Sequence, residues 1–247
     1  MEIRLDLLMV ELGFTPGRNK AQELIECGEV TVDGKAVLKP SKKVSRSSLI
    51  VLKKDIFPYV SRAGVKLKKI LDHFQILCQG KVALDVGACT GGFSDCLLKE
   101  GARKVYAVES GHDQLAEKLR HDDRVVNLEN CSIQKLEKSK IPEMADILTI
   151  DVSFTSLTEV LPFCMPFLKE GGEVFALIKP QFELPKADRK KNGVVRSEQS
   201  YPLLLEKMQV FFQETGIQTK GIIESPLLGG EGNKEFLLYG LKQRIAP

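Results

Sequence analysis

Apolar positions in the first fifty residues change their spacing, which predicts short helices followed by short strands. Residues 3–12 carry apolar side chains at helical spacing, and RNKAQELIECG predicts a second helix that Gly28 caps. The alternating run EVTVDGKAV predicts a hairpin turning at Asp33-Gly34, and SLIVL predicts a further strand. A unit this small has a marginal core of its own.

After residue 60, strand-like apolar runs alternate with helix-like segments. Seven runs predict strands: KVALDVG, KVYAVE, RVVNLE, ADILTID, EVFALIKP, IQTKGIIES and EFLLYGL. Helices are predicted over VSRAGVKLKKILDHF, FSDCLLKEG, DQLAEKLR, FTSLTEVLPFCMPFLKEG and SEQSYPLLLEKMQVFFQETG. Strands separated by helices imply right-handed crossovers, and the closely spaced final pair implies one reversed strand. We therefore predict an α/β fold with a mostly parallel seven-stranded sheet, preceded by a small α+β domain.

Length and composition are those of a folded chain with more than one domain. The chain has 247 residues, of which 43% are hydrophobic. We predict domains over residues 1–54 and 61–247, joined by a linker over 55–60 that contains Pro58. The longest apolar runs fall far short of the ~20 residues of a membrane span, and charges interrupt the N-terminal apolar stretch. We expect a soluble, cytoplasmic protein.

Cysteine and histidine usage argues against disulfide and metal sites. Six cysteines are scattered without a C-x-x-C pair, and the three histidines have no metal-ligand spacing. Free thiols and no bound metal are therefore expected.

The net charge of +3 conceals a strong asymmetry. From Lys35 to Lys69 the chain has eleven basic residues and one acid, which gives +10 there and −7 elsewhere. Such a block indicates a polyanionic partner and an activity that falls steeply with salt. A solvated lysine face is the alternative.

A glycine-rich turn follows the first predicted strand of the larger domain. In open α/β sheets the ligand lies outside the carboxyl ends of the strands, so Asp85, Gly87, Gly91 and Gly92 in DVGACTGGFS are candidates to approach it. Glu109 ends the next strand, 22 residues after Gly87, which suits the ribose of a nucleoside cofactor. Neither G-x-G-x-x-G nor a P-loop motif is present, and a purely structural turn is the alternative.

The N-terminal segment resembles an S4 RNA-binding domain. The likeness rests on RLDLLMVELG, KAQELIECGEVTVDGK and KPSKKV, and covers most of residues 1–50. It implies that basic side chains contact RNA phosphates, which gives affinity without reading sequence. The residues so implied are Arg4, Arg18, Lys20, Lys35, Lys42 and Lys43.

The larger domain resembles Rossmann-like methyltransferases of the FtsJ-like group. YVSRAGVKL, DVGACTGGFSD, LTIDVSFTSL, LIKPQFE, NGVVR and GNKEF occur in the order and spacing of the TlyA, or haemolysin A, family. This resemblance implies S-adenosylmethionine-dependent 2′-O-methylation of a ribose, that of cytidine, in ribosomal RNA. The cofactor residues implied are Asp85, Gly87, Ala88, Cys89, Thr90, Gly91, Gly92, Phe93, Glu109, Ser110, Ser132 and Asp151.

The same resemblance implies a catalytic tetrad of Lys66, Asp151, Lys179 and Glu235. A ribose 2′-hydroxyl must lose its proton as it attacks, and a lysine can accept it only if partly neutral. Burial and a second ammonium group would lower the pKa of such a lysine. We expect Lys179 to be the general base held by Asp151, while Lys66 and Glu235 orient the ribose and balance charge. Solvated strand-end charges are the alternative.

Two departures from the family pattern and a second basic cluster complete the candidates. SGHDQL and LENCSI differ from the family where Ser110 and Ser132 lie, and this leaves open whether Ser132 bonds an adenine edge. The segment KADRKKNGVVR is either a flexible surface loop or closes over RNA. Its basic residues are Lys186, Arg189, Lys190, Lys191 and Arg196, and Arg62 is a further RNA candidate.

Other functions make different demands on the sequence. A haemolysin, as the family name implies, needs a membrane element, and none is evident. A noncatalytic RNA-binding module would not need the tetrad. A pseudouridine synthase would need an HRLD-like segment, which is absent. Base methylation through a cysteine would need one at the strand ends, whereas Cys164 falls in a predicted helix.

Overall fold

The chain divides into two compact units, and each is described by itself. They comprise residues 1–56 and 57–247. The computed structural model describes residues 2–12, 14–15, 17–52, 58–190, 193–229 and 232–244. Half of the predicted linker, residues 55–57, lies outside the described residues, and so does Lys191 of the second basic cluster.

The N-terminal unit is built from two short helices and five short strands. Its elements are β1 (Glu2–Arg4), α1 (Leu5–Glu11), α2 (Arg18–Glu26), β2 (Val30–Val32), β3 (Lys35–Ala36), β4 (Lys43–Ser45) and β5 (Ile50–Leu52). Strands β3, β2 and β5 form one antiparallel sheet, and β1 pairs with β4. The core packs side chains of both helices, such as Leu8 and Ile25, against strand residues such as Val30.

Two sequence predictions for this unit have different outcomes. The hairpin is confirmed: β2 pairs with β3, and both turn residues have positive φ, 51° at Asp33 and 77° at Gly34. The helix predicted from Ile3 is wrong at its start. Ile3 belongs to β1, opposite Val44, and the helix begins only at Leu5. A pairing across some forty residues overrides the local helical spacing.

The C-terminal unit contains the predicted seven-stranded sheet. Its strands are β6 (Val82–Val86), β7 (Lys104–Val108), β8 (Val125–Leu128), β9 (Ala145–Ile150), β10 (Leu168–Ile178), β11 (Ile217–Glu224) and β12 (Phe236–Lys242). The order is β11-β12-β10-β9-β6-β7-β8, and β12 runs antiparallel to both its neighbours. The mostly parallel sheet with one reversed strand is thus confirmed.

Helices cover both faces of this sheet. They are α3 (Ala63–His73), α4 (Gly92–Lys99), α5 (Glu117–Arg120), α6 (Leu157–Cys164), α7 (Pro180–Glu183) and α8 (Tyr201–Glu214). Strand residues alternate between two cores: Leu84 packs with α6 and α8, whereas its neighbour Ala83 packs with α3 and α4.

The helix predicted over residues 154–171 is wrong at both ends. The regular helix is confined to α6, a 3₁₀ turn follows over Met165–Phe167, and Leu168 already belongs to β10. Pro166 lacks a backbone N–H, which explains why the helix does not continue through this turn. The helix predicted over 113–120 shrinks to α5 in the same way, leaving its first half as a loop.

Candidate active site

Sheet topology brings the four tetrad residues to one edge. Asp151 follows β9 and Lys179 follows β10, so both lie at the carboxyl ends of parallel strands. Strand β12 is antiparallel to β10, with Phe236 opposite Ile178, and this places Glu235 beside Lys179. Lys66 reaches the same edge from α3.

The four side chains form two ion pairs. Lys66 Nζ lies 2.5 Å from Glu235 Oε2, and these side chains are only 6% and 3% exposed. Lys179 Nζ lies 2.7 Å from Asp151 Oδ1 and also donates a hydrogen bond of 2.9 Å to Ser153 Oγ. A buried charge is tolerated when it is paired in this way, because the partner offsets the loss of water.

Electrostatic coupling joins the two pairs. Burial alone would lower the pKa of Lys179, but Asp151 and Glu235 raise it more, so the pKa lies above its ordinary value. Burial would raise the pKa of Asp151, whereas Lys179 and Lys66 lower it more, so this carboxylate is ionised. Our expectation of a lowered pKa for Lys179 is therefore wrong for the free protein, because two carboxylates outweigh burial.

The glycine-rich loop between β6 and α4 lies against the tetrad. A Cβ on Gly87 would stand 2.6 Å from the backbone oxygen of Asp151, and the φ of Gly87 is 81°. Only glycine fits there without strain. Cys89 in this loop is exposed, has a φ of 49°, and contributes to the raised pKa of Lys179. The loop and the tetrad thus form one site.

The other glycines of this loop serve packing within the protein. A Cβ on Gly91, whose φ is 90°, would stand 2.2 Å from Leu119 Cδ1, and one on Gly92 would stand 2.2 Å from Ser61 Oγ. At both positions the space that a side chain would need is filled by protein neighbours, and the approach of a ligand to these glycines stays a prediction. Ala88 and Phe93 are buried in the core, and the Thr90 carbonyl accepts a hydrogen bond from the backbone of Ala116.

Two acids hold the loop in its conformation. Asp85 is fully buried and accepts hydrogen bonds from Ser94 Oγ at 2.6 Å and Thr149 Oγ1 at 2.8 Å. Burial raises the pKa of Asp85 to about 6 despite these donors. Glu109 accepts from the backbone N–H groups of Cys89 at 3.0 Å and Gly111 at 2.8 Å. Asp85 therefore lies beneath the loop, whereas Glu109 is half-buried at its rim.

The two candidate serines lie near this rim. Ser110 Oγ donates a weak hydrogen bond of 3.2 Å to Glu109 Oε1. Ser132 caps a 3₁₀ turn, accepting from the backbone N–H of Gln134 at 3.4 Å. The preceding residue, Cys131, donates its N–H to the backbone oxygen of Glu109, which ties the Ser132 segment to the rim.

Sequence reasoning missed an aromatic residue beside the tetrad. Phe154 was predicted to begin a helix, but it lies in the loop after Asp151, with a φ of 64° and a side chain 91% exposed. Its ring contacts that of Phe182, with centroids 5.3 Å apart. A large apolar side chain held in the left-handed region is uncommon outside functional sites. Its signal in the sequence is an aromatic residue three positions after a strand-terminal acid.

Comparison with known families identifies the larger unit. The family model described as FtsJ-like methyltransferase matches residues 59–242. The chain belongs to the FtsJ-like methyltransferase family. A second model, described as S4 domain, matches residues 3–50. Both resemblances drawn from the sequence are thus confirmed.

Similar proteins agree with this assignment over nearly the whole chain. A 16S/23S rRNA (cytidine-2'-O)-methyltransferase named TlyA, from Mycobacterium tuberculosis, is 37% identical, with 96% of this chain and 88% of the relative covered. Hemolysin A of Brachyspira hyodysenteriae is 38% identical, with 96% and 99% covered. A solved structure described as "Putative hemolysin from Streptococcus thermophilus" has a TM-score of 0.79 and 37% identity, covering 98% and 89%.

In this FtsJ-like methyltransferase, the described residues of the second basic cluster, 186–190 and 193–196, pair with each other through their backbones, and we call them the basic hairpin. Arg189 and Val195 form a β-bridge, and the Lys190 N–H donates to the Val194 carbonyl at 2.7 Å. Arg189 donates from Nη1 to the Gln181 carbonyl, while Arg196 donates from Nε to two carbonyls of the hairpin. Both arginines thus hold the hairpin itself, and Lys186 and Lys190 are exposed on it.

Asn233 anchors this hairpin two residues before Glu235. Its side chain is 2% exposed, accepts from the Val195 N–H at 2.9 Å and donates to the Gly193 carbonyl at 3.3 Å. The basic hairpin is therefore fixed to the tetrad strand. Arg62 lies close enough to contribute to the lowered pKa of Asp151, so it belongs to the same edge.

The RNA-binding candidates of the N-terminal unit are all partly or fully exposed. Lys35, Lys42 and Lys43 are exposed. Lys20 forms an ion pair with Glu23 at 3.0 Å in α2. Arg4 and Arg18 both form ion pairs with Asp6.

In the part of the chain that the structure describes, no group of three or more His, Cys, Asp or Glu side chains could hold a metal ion. Across the same residues, every helix falls short of the length and apolarity needed to cross a bilayer. None of the six cysteines, all of them among the described residues, forms a disulfide bond.

Proposed function

We propose that this methyltransferase modifies the 2′-hydroxyl of a cytidine ribose in ribosomal RNA, with S-adenosylmethionine as methyl donor. The observation that carries the proposal is the convergence of the Lys179–Asp151 and Lys66–Glu235 pairs beside the glycine-rich loop. The activity for which the TlyA relative is named supports the choice of substrate. Because ribosomes are cytoplasmic, the proposal also implies that location.

The residues at the loop fit such a donor. Glu109 is half-buried at the rim and can accept from ribose hydroxyls, since three donors occupy a carboxylate with about four acceptor positions. Asp151 is ionised and lies against the loop, so it favours a cationic ligand. S-adenosylmethionine, when bound, supplies an electrophilic methyl group on a positively charged sulfur.

Lys179 is the proposed general base. In the free protein its raised pKa keeps it protonated. RNA that covers the site would remove water and strengthen the effect of burial, which favours the neutral amine. The neutral Nζ could then take the proton of the 2′-hydroxyl, while Asp151 and Ser153 keep the amine in place.

The remaining groups would position the substrate. Lys66 and Glu235 form a rigid buried pair that can bond the ribose, and Phe154 offers an exposed ring on which a nucleobase can stack. Holding oxygen, methyl and sulfur in line lowers the barrier through proximity.

One experiment tests the proposal directly. The protein is incubated with each purified ribosomal subunit and labelled S-adenosylmethionine, and the modified nucleotide is mapped by mass spectrometry. We expect 2′-O-methylcytidine in at least one subunit, with its formation lowered roughly 10²- to 10⁴-fold by Lys179→Ala. A methyl group on a base, or no incorporation with either subunit, would contradict the proposal.

A further inference from the structure

One carboxylate in the N-terminal unit is buried beneath two arginines. Asp6 in α1 is fully buried. Its Oδ1 accepts from Arg4 Nε at 3.0 Å and from the backbone N–H of Leu7 at 3.0 Å. Its Oδ2 accepts from Arg4 Nη2 at 2.8 Å, Arg18 Nε at 2.9 Å and Gln22 Nε2 at 2.8 Å. Five donors on one carboxylate leave it no capacity for another partner.

The ionic state of this group is unambiguous. The hydrogen bond from Arg4, together with those from Gln22 and Arg18, outweighs burial and holds the pKa of Asp6 far below its usual range. Asp6 is therefore a permanent anion beneath two permanent cations. The three side chains carry a net charge of +1, and the positive part faces outward.

Asp6 leaves most of each guanidinium group available. A guanidinium has five N–H donors, of which Arg4 gives two to Asp6 and Arg18 gives one. The Arg4 and Arg18 side chains remain 37% and 50% exposed. Two guanidinium groups would repel each other in water, but here a shared buried anion holds them together.

This geometry suits one class of ligand. Phosphate oxygens accept paired N–H donors from guanidinium forks, and two forks that are already in place lose little freedom on binding. An isolated surface ion pair would not need a fully buried carboxylate with five donors.

We propose that Asp6 is a positioning residue for RNA binding, which holds Arg4 and Arg18 as one preorganised unit for a backbone phosphodiester. The inference rests on the proposed RNA substrate. It concerns affinity alone, so it is measured without the methyl donor. If the wild-type protein binds ribosomal RNA but does not methylate it, that result counts against the proposed function and leaves this inference standing.

Charge and positioning make opposite predictions for Asp6→Asn. If Asp6 acted only through its charge, its removal would strengthen RNA binding. If Asp6 positions the arginines, the same change weakens RNA binding. The asparagine amide has an NH₂ group in place of one carboxylate oxygen, and this group cannot accept hydrogen bonds from Arg4 and Arg18. We expect the Kd of the full chain for a ribosomal RNA fragment to rise at least about tenfold. The slope of log Kd against log salt should fall by about 0.7–0.9, as one phosphate contact is lost.

Matched variants separate this effect from folding and general charge. Asp33→Asn removes one negative charge from the same unit at an exposed turn, where asparagine tolerates the positive φ, and should leave the Kd unchanged or slightly lower. Arg4→Lys and Arg18→Lys keep the charge but lose the fork, so each should weaken binding as Asp6→Asn does. Combined with Asp6→Asn, they should add little, because all three belong to one unit.

Several results would overturn the inference. One is equal behaviour of Asp6→Asn and Asp33→Asn; another is wild-type affinity in both lysine variants. Circular dichroism monitors folding, and if Asp6→Asn unfolds the unit, the lysine variants alone decide. A scrambled RNA of the same length should respond in parallel, because a phosphodiester carries no sequence.

Discussion

Glu183 at the end of α7 accepts a hydrogen bond of 2.8 Å from the backbone N–H of Leu157 at the start of α6, and thereby joins the segments that follow Lys179 and Asp151. Its second oxygen accepts from Ser156 Oγ at the N-terminus of α6. Burial raises the pKa of Glu183, which these donors only partly offset. The same two segments also meet at the Phe154–Phe182 ring contact.

Removal of this contact should slow methyl transfer without weakening cofactor binding. We expect Glu183→Ala to lower the rate by up to about 100-fold, because the reacting groups tolerate little displacement. Glu183→Gln keeps an acceptor for Leu157 and a donor for Ser156, so it should retain most of the rate. Single-turnover kinetics and calorimetric titration of the cofactor measure the two effects. Equal rates in the alanine variant and the wild type would contradict this role.

Lys179→Ala should abolish most turnover while cofactor affinity stays near that of the wild type. A positioned general base contributes roughly 10²- to 10⁴-fold to the rate, and we expect a loss of that order. Lys138→Ala, at an exposed lysine, is the matched control. Full turnover in the Lys179 variant would exclude it as the base.

The raised pKa of Lys179 makes the rate depend on pH in a definite direction. A base must be neutral, so the single-turnover rate should rise about tenfold per pH unit while Lys179 remains mostly protonated. Asp151→Asn removes the nearest anion that raises this pKa, so the rising limb should move to lower pH. A flat or falling profile would show that Lys179 acts as an ammonium group.

Breaking the Lys66–Glu235 pair should lower the free energy of unfolding. Lys66→Met leaves a buried carboxylate unpaired and should cost about 3–5 kcal/mol, whereas the double variant Lys66→Met/Glu235→Leu should recover most of this. Lys68→Met, two residues away in the same helix, breaks a more exposed pair with Asp72 and should cost about 1 kcal/mol or less. Urea unfolding followed by circular dichroism suits a chain without tryptophan. If Lys66→Met and Lys68→Met lowered the free energy of unfolding equally, Lys66 and Glu235 would not form a buried ion pair.

Charge reversal on the basic hairpin should weaken RNA binding. Lys186→Glu/Lys190→Glu changes exposed residues and spares Arg189, which holds the Gln181 carbonyl. We expect a higher Kd and a lower salt slope than for Lys138→Glu/Lys140→Glu, an equally charged change elsewhere. Ribosome methylation at the wild-type level in the hairpin variant would reject a role in substrate binding.

Local pattern alone predicted most elements of the larger unit. Apolar runs such as KVALDVG identified each strand of its sheet, because alternation and β-branched content are properties of a few adjacent residues. The pattern did not predict the shortest elements. Strand β4 is three residues long with one buried side chain, and it exists because Val44 meets Ile3.

The site shows the same division. Its members could be named from motifs, since residue types and spacing are visible in the chain and resemble a known family. The pairing of these residues with each other could not be predicted in this way. Lys66 and Glu235 are 169 residues apart, and they meet because α3 and the reversed strand β12 bring them to the same edge of the sheet. The sign of the Lys179 pKa shift, the exposure of Phe154 and the arginines over Asp6 likewise depend on distances between segments, which local periodicity does not encode.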